Sequence, residues 1–512
     1  MKRRDFLGTN MLATLVTAAA FCSPRALAQG PNGMDPARPN VVLIVTDNQG
    51  AWTLGCYGNP DIRTPRLDQM AAEGVRFRRA FSSNPVCSPT RATLLSGLMP
   101  SQHGVHNYLE AAYNTLEEFD TLPEILSREG YTCGIVGKWH LGPFDQPGQE
   151  GFSHWFVKKG GHTPSFYGTL VSDDMGRKRT VQPHITPYWT EQAVKFIDKN
   201  KDQPFFLYLA YNGPYGLHAC IRGEPKNRHA ATYSGKQMES FPRMPMHPWL
   251  RTNREHIGNI SSMRNYASQV SMVDDGVGQV LTTLKRLGLD KQTLVIFTAD
   301  QGCAGGHGGF WGMGDHTRPQ TIYDWTLHVP LILRHPGKVA SGRVVDHLVA
   351  NYDVFPSVLG YLDLKDKLPD KPCRPGRDFS PLMRGEQCEW ADVVFGEYAD
   401  HVRMVRTDRW KYIHRPGSGL KELFELTADP GEKDNLYGKD GYARIQVELE
   451  QRLNRYFTTY SDPMWDMWRS GTSKHLHTKR RPQRPERRHR ISPETADQQR
   501  FVKQWLARET RR

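Results

Sequence analysis

Four short, continuous apolar runs punctuate the chain: Asn40–Thr46 (NVVLIVT), Phe205–Tyr211 (FFLYLAY), Thr293–Thr298 (TLVIFT) and Val329–Arg334 (VPLILR). They are rich in β-branched and aromatic residues. The first two show no polar alternation, the pattern of central strands buried on both faces of a parallel sheet. Between them lie stretches with helical spacing. Thr64–Glu73 places Leu67, Met70 and Ala71 on one side, and Leu122–Gly130 ends at a glycine. Thr190–Lys199 is amphipathic through Ala193, Val194, Phe196 and Ile197, and Met263–Leu287 carries the stripe Tyr266, Val270, Val273, Val277, Leu281. Strands alternating with helices predict an α/β fold, a large mixed, mostly parallel sheet flanked by helices. Past Arg384 the period shortens. Val393–Tyr398, Val402–Arg406, Trp410–His414 and Glu422–Leu426 read as a smaller C-terminal antiparallel-sheet subdomain over residues 386–470, following a main domain over 39–385. Residues 220–260 lack periodicity and are rich in Pro, Arg, His and Met, which suits a lid or substrate-selecting insertion.

Composition changes this picture mainly at the ends. Arg3-Arg4-Asp5-Phe6-Leu7, the apolar run Met11–Phe21 and the small residues Ala26-Leu27-Ala28 make residues 1–28 a twin-arginine signal peptide. The run is too short to cross a bilayer of about 30 Å, so no stable membrane anchor is expected. The expected location is outside the cytoplasm of a bacterium, periplasmic or secreted, with the twin-arginine (Tat) translocon as a partner. The net charge is +13, but the basic tail (471–512) carries much of it, with thirteen basic and four acidic residues from Lys474 onward. The folded body is close to neutral, which gives no footprint for nucleic acid. Seven cysteines follow the signal. That odd number suggests one thiol with a separate task; Cys373 and Cys388 flank a Pro/Gly-containing loop and are candidates to pair, though sequence does not set connectivity.

The candidate chemistry gathers on strand ends and one helix mouth. Asp47 and Asn48 follow the first strand, and Asp300 and Gln301 follow Thr293–Thr298, the edge where open α/β sheets hold ligands. This set of carboxylates and amides offers hard oxygen donors suited to Ca²⁺, with Mg²⁺ the alternative. It contains no zinc-type Cys/His cluster. In Ser83-Asn84-Pro85-Val86-Cys87-Ser88-Pro89-Thr90-Arg91, Ser88 is placed to cap a helix with Pro89 at its first position. Cys87 then lies at the positive end of the helix dipole, with the Arg91 cation one turn on.

The Cys-x-Pro-x-Arg string resembles the signature of the type I sulfatases of the alkaline phosphatase superfamily, and Gly137-Lys138-Trp139-His140-Leu141-Gly142 resembles a second element of that family. Together with Asp47-Asn48, Asp300-Gln301-Gly302 and Phe310-Trp311-Gly312, the likeness spans roughly residues 39–460. The resemblance implies that Cys87 is oxidised by a formylglycine-generating maturation enzyme to Cα-formylglycine, whose hydrate attacks a sulfate ester beside a bound divalent cation. It implies metal ligands at Asp47, Asn48, residue 87, Asp300 and Gln301, and oxyanion contacts from Arg91 and Lys138. His140 is implied as a proton acceptor. Four positions depart from the family pattern, one of them Gln301, where relatives usually carry Asn or His. Asn48 replaces a carboxylate. Tyr215 stands where relatives have histidine, leaving His218, three residues on, as the alternative donor. Met313 replaces a lysine, so His316 and Arg318 are the nearby substitutes. A sulfated carbohydrate is the expected substrate. A phosphonate or phosphate ester hydrolase and a non-catalytic binder of sulfated glycans are the competing readings.

Overall fold

The computed structural model describes residues 38–109, 115–142 and 147–475; the expected signal peptide (1–28) and nearly all of the basic tail lie outside them. The main sheet has ten strands: β1 (Asn40–Asp47), β2 (Val75–Phe81), β3 (Thr132–Gly137), β4 (His154–Lys158), β5 (Thr169–Asp173), β6 (Lys178–Val181), β7 (Phe205–Pro214), β8 (Thr293–Ala299), β9 (His328–Arg334) and β10 (Arg343–Ala350). Their order is β10-β2-β9-β8-β1-β7-β3-β4-β5-β6. The central run β8-β1-β7-β3-β4 is parallel throughout, and antiparallel pairings flank it. The middle strands are wholly buried, as their unbroken apolar sequence requires, because helices cover both faces. One face packs on the helices Ile185–Lys199 and Ile260–Arg286 through Trp189, Phe196, Val270 and Val277. The other packs on Cys87–Ser96, Leu122–Arg128 and Val354–Tyr361 through Leu94, Leu95, Ile125 and Phe355.

Four further strands, β11 (Val393–Tyr398), β12 (Val402–Thr407), β13 (Trp410–Arg415) and β14 (Leu420–Glu425), form an antiparallel sheet in chain order. The helix Ala443–Tyr460 covers it with Leu449, Leu453, Tyr456 and Phe457. The expected strands and helices are present, with two helices longer than their periodic stretch. The 185–199 helix begins five residues earlier, at Ile185, capped by the His184 ring on Thr186 N–H. Alternation did not reveal β2, β4, β5, β6 or β10: β2, β4, β6 and β10 mix basic and apolar residues, and β5 (Thr-Leu-Val-Ser-Asp) is short and ends in polar ones.

Two expectations are corrected. Ser88 does not cap its helix. The helix starts at Cys87 with extended Val86 before it, and the Ser88 hydroxyl donates instead to His140 O at 2.8 Å. Cys373 and Cys388 do not pair, and all seven described cysteines are free thiols. The first tail residues are anchored: buried Lys474 donates to Thr115 O and to the Glu118 carboxylate.

Candidate active site

The register of the central strands decides which side chains meet. Parallel pairing sets Thr46 beside Ala299 and Gly137 beside Ala210, while Asp47 lies opposite Pro214. The residues that follow, Asp47-Asn48, Asp300-Gln301, Lys138 and Tyr215, therefore emerge along one carboxyl edge. The Cys87–Ser96 helix points its first residue into that edge. Ligand atoms of Asp47, Cys87 and Asp300 lie within 4.8 Å of one another, all buried.

The loop leading to Cys87 is bolted to the small sheet. Glu397 of β11 takes part three times: its N–H donates to Ser83 O (2.9 Å), its carbonyl accepts from Asn84 Nδ2 (2.7 Å) and its carboxylate accepts from Ser101 N–H (2.7 Å). Arg403, held at 2.6 Å from Asp466, neutralises that carboxylate. Asn351 adds a side-chain acceptor for Ser83 N–H.

Two buried ion pairs frame the cluster. Lys138 Nζ lies 2.5 Å from Asp47 Oδ2. Arg91 donates Nε and Nη2 to Asp300 Oδ2, at 3.1 and 2.8 Å, and Nη1 to Lys138 O at 2.9 Å. Asp300 Oδ1 accepts the backbone N–H groups of Asn48 and Gln301. Arg91 and Lys138, expected over an oxyanion, thus also fix the two carboxylates, and the four charges cancel. Burial pushes the Asp47 carboxyl above its usual range while the Lys138 ammonium pulls it back. Burial also drives the Cys87 thiol upward, with the Asp47 charge adding to the rise. A thiol so protonated is a poor nucleophile.

The amides complete a set that fits a hard cation. Gln301 Nε2 donates to Asn48 Oδ1, to Cys87 Sγ at 3.2 Å and to Met313 Sδ at 3.4 Å, whereas its buried Oε1 has no partner. Turning the Gln301 amide over would bring its oxygen to the spot now facing Asn48 Oδ1 and Cys87 Sγ, beside the Asp47–Cys87–Asp300 cluster. Met313 is buried at this spot and brings no charge.

His140, 5 % exposed, has both ring nitrogens buried and unpartnered. Burial and then the Lys138 charge push its pKa well down, leaving a neutral imidazole. Tyr215 is 2 % exposed, with its ring 5.4 Å from Lys138 Nζ. Its N–H donates to Asp47 O (2.8 Å) and its carbonyl accepts from Asn48 Nδ2 (3.0 Å). His218 is instead exposed, stacked edge-on against His316 at 5.7 Å. His316 is buried beside Asn253 (3.0 Å) and Asp315. Arg318 is exposed and donates to Asp315 O and Thr317 O of its own loop, so its hydrogen bonds are local. Tyr215 therefore packs into the cluster, and His218, His316 and Arg318 form a group on the adjoining loops.

Asn48, His140, Tyr215 and His218 all adopt left-handed backbone, with φ of 55°, 61°, 54° and 53°. Non-glycine residues rarely do so, and such strain concentrates where a fold must aim side chains. Sequence reasoning missed His162, whose Nδ1 lies 3.2 Å from the Tyr215 hydroxyl and whose ring is 6.2 Å from that of His140. Nothing in the string Gly160-Gly161-His162-Thr163 marks it. His162 also lines a cavity of about 540 Å³ with Lys159, Ser165, Tyr167 and Thr169.

The parallel central strands gather two acids, two cations and a helix mouth at one carboxyl edge, an arrangement suited to hydrolysing esters of strong oxyacids. Comparison with known proteins makes the class specific. Residues 39–364 match the family described as Sulfatase, and residues 310–459 match "N-sulphoglucosamine sulphohydrolase, C-terminal". The chain belongs to the sulfatase family and is a sulfuric-ester hydrolase. It is 30 % identical over 468 residues to N-acetylgalactosamine-6-sulfatase of Rattus norvegicus, covering 78 % of this chain and 81 % of that one. It is 28 % identical over 458 residues to the ulvan-active sulfatase of Formosa agariphila, covering 84 % and 83 %. The structure of a putative sulfatase from Bacteroides fragilis superposes with a TM-score of 0.73 at 24 % identity, covering 84 % of this chain and 98 % of the other, which shows the shared fold.

Proposed function

We propose that the protein hydrolyses a sulfate ester of a carbohydrate, using formylglycine made from Cys87 and a bound Ca²⁺. The observation that carries this is the electroneutral cluster of Asp47, Asp300, Lys138 and Arg91 around Cys87. A divalent cation held by Asp47, Asn48, Asp300 and Gln301 would leave two positive charges. An ionised nucleophile at residue 87 and one monoanionic sulfate ester match them. A dianionic phosphate monoester would overshoot by one, and the methionine at 313 removes the cation that would correct it. The charge balance thus favours sulfate over phosphate. The sulfatase relatives named for N-acetylgalactosamine and ulvan support a carbohydrate alcohol.

The modified residue and the cation together supply an activated oxygen nucleophile and draw charge from the sulfate oxygens. The chain's own residues do the remaining work. Lys138 and Arg91 hold the carboxylates rigid and keep two positive charges at the edge. Neutral His140, with both nitrogens open, accepts a proton from the residue 87 hydroxyl. Exposed His218 and, behind it, buried His316 serve as donors to the departing alcohol. The Tat route carries folded protein, so Cys87 would be oxidised in the cytoplasm by the maturation enzyme before export to the periplasm or beyond.

The test is a mass measurement of the peptide carrying residue 87, paired with turnover of sulfate and phosphate esters of one sugar. The reading expects formylglycine, sulfate release and loss of activity in Cys87→Ala. Activity from protein bearing only the unmodified thiol would overturn it, as would preference for the phosphate ester.

A further inference from the structure

Where the family resemblance places a histidine, this chain has Tyr215, and a tyrosine cannot deliver a positive charge. Its surroundings show how it is used. Its backbone is pinned in a strained conformation by Asp47 O on one side and Asn48 Nδ2 on the other. Its ring runs from Lys138 toward the cavity wall, so its hydroxyl ends beside His162.

The turn that carries His162 is held firmly, although its ring reaches the surface. The buried Lys158 ammonium donates to three carbonyls of the same turn, those of Lys159, Gly160 and His162. Thr163 is tied to the end of β7 by Asn212 Nδ2 at 3.0 Å, and Asn212 in turn accepts from Trp189 Nε1 at 2.8 Å. The Tyr108 ring meets the imidazole edge-on at 5.2 Å. Gly161 is required for the approach, because a Cβ there would lie 1.7 Å from His140 Nε2. A turn fixed this firmly sets the imidazole against the Tyr215 hydroxyl, and an orienting role is open to it.

We propose that His162 is a positioning residue that donates Nδ1–H to the Tyr215 hydroxyl oxygen, freeing the Tyr215 O–H to hydrogen-bond a non-bridging oxygen of the bound sulfate. The inference rests on the sulfatase reading above. A phenol has one hydrogen. If His162 accepted it, Tyr215 would face the anion with a lone pair and repel it; the opposite tautomer turns the same hydroxyl into a donor. The pair would thereby restore, without charge, the contact that a histidine makes elsewhere.

The experiment uses the full-length, formylglycine-verified enzyme with a chromogenic sulfate ester, and inorganic sulfate as competitive inhibitor. Tyr215→Phe and His162→Phe should each raise KM and the sulfate inhibition constant together, lowering kcat/KM about tenfold to a hundredfold, the range of a hydrogen bond to a charged group. The double variant should be no worse than either single one. His162→Asn, whose amide N–H can replace Nδ1–H, should recover to within about threefold of the parent. Additive losses, or His162→Asn as poor as His162→Phe, would overturn the proposal. A second measurement needs no turnover: ¹⁵N NMR of histidine-labelled protein should show the His162 proton on Nδ1, and a proton on Nε2 alone would refute it. A wild-type enzyme that releases no sulfate would sink the sulfatase reading, whereas the tautomer result judges the His162 assignment separately.

Discussion

Asn48→Asp should act in opposite directions with and without metal. In the family pattern the position is a carboxylate, so the substitution adds a third negative ligand. In this chain, however, Asn48 Nδ2 donates at 3.0 Å to the carbonyl of Tyr215, whose left-handed backbone it helps to hold. An aspartate has no hydrogen to give. The 3.0 Å donor contact becomes an oxygen–oxygen contact, the bond is lost, and the buried carbonyl is left unpaired. Losing the bond and stranding the acceptor costs ~1–3 kcal/mol. A third carboxylate beside Asp47 and Asp300 adds to that in the metal-free protein. With Ca²⁺ held as proposed, the new charge would join the ligand set, and tightening of about tenfold, ~1.4 kcal/mol, is expected. Chemical denaturation in excess chelator should therefore show the variant less stable than the parent. Titration of metal-free protein with Ca²⁺ should show it binding more tightly, and the stability gap should shrink as Ca²⁺ rises. Equal stability in chelator would refute the donor role of Asn48. Unchanged Ca²⁺ affinity would refute its place among the ligands.

Other outcomes follow from single contacts. Gly161→Ala drives a methyl into the His140 ring and should cut kcat/KM by about a hundredfold while the protein stays folded, checked by kinetics beside circular dichroism. Arg403→Met strips the countercharge from Glu397 and Asp466 and should destabilise by about 3–5 kcal/mol, read by urea unfolding, with loss of order in the Cys87 loop. Asp274 accepts the Arg66 and Leu67 N–H groups, and burial pushes its carboxyl up to about 7. The folded state then holds a proton the unfolded state has released, so this group's stabilisation is complete below about pH 4 and is lost as pH climbs through 7. Asp274→Asn should flatten that part of the stability profile, and an unaltered slope between pH 4 and 7 would count against the assignment.

The central sheet was legible because β1, β7 and β8 are buried on both faces, which leaves an unambiguous apolar signature. The marginal strands were hidden. β6 reads Lys-Arg-Thr-Val, and its place depends on pairing with β5 rather than on its own pattern. Within the site, Asp47, Asp300, Lys138 and Cys87 were readable because strand ends and a helix mouth have sequence signatures. His162 was not, because a loop histidine acquires its neighbour only when Lys158 folds the turn onto the β7 edge. Arg318 was named on charge and proximity in sequence, and the structure shows its Nη1 turned onto the carbonyls of its own loop.

The small sheet belongs to the catalytic apparatus by construction. A nucleophile at a helix mouth is useful only if the loop before it cannot sag, since a shift of 1 Å costs rate steeply. Pro85 lacks an N–H, so the loop cannot be secured there by its own backbone. Ser83 and Asn84 instead borrow β11 as an extra partner strand, with Glu397 supplying donor, acceptor and carboxylate. That carboxylate is buried and needs Arg403 from the next strand, which in turn needs Asp466 near the end of the described chain. The position of residue 87 thus depends on a chain of buried charges ending almost four hundred residues away. Truncation within the C-terminal helix should therefore abolish turnover even where the large sheet, the metal ligands and Cys87 are all retained. A truncated protein that keeps full activity would refute this dependence.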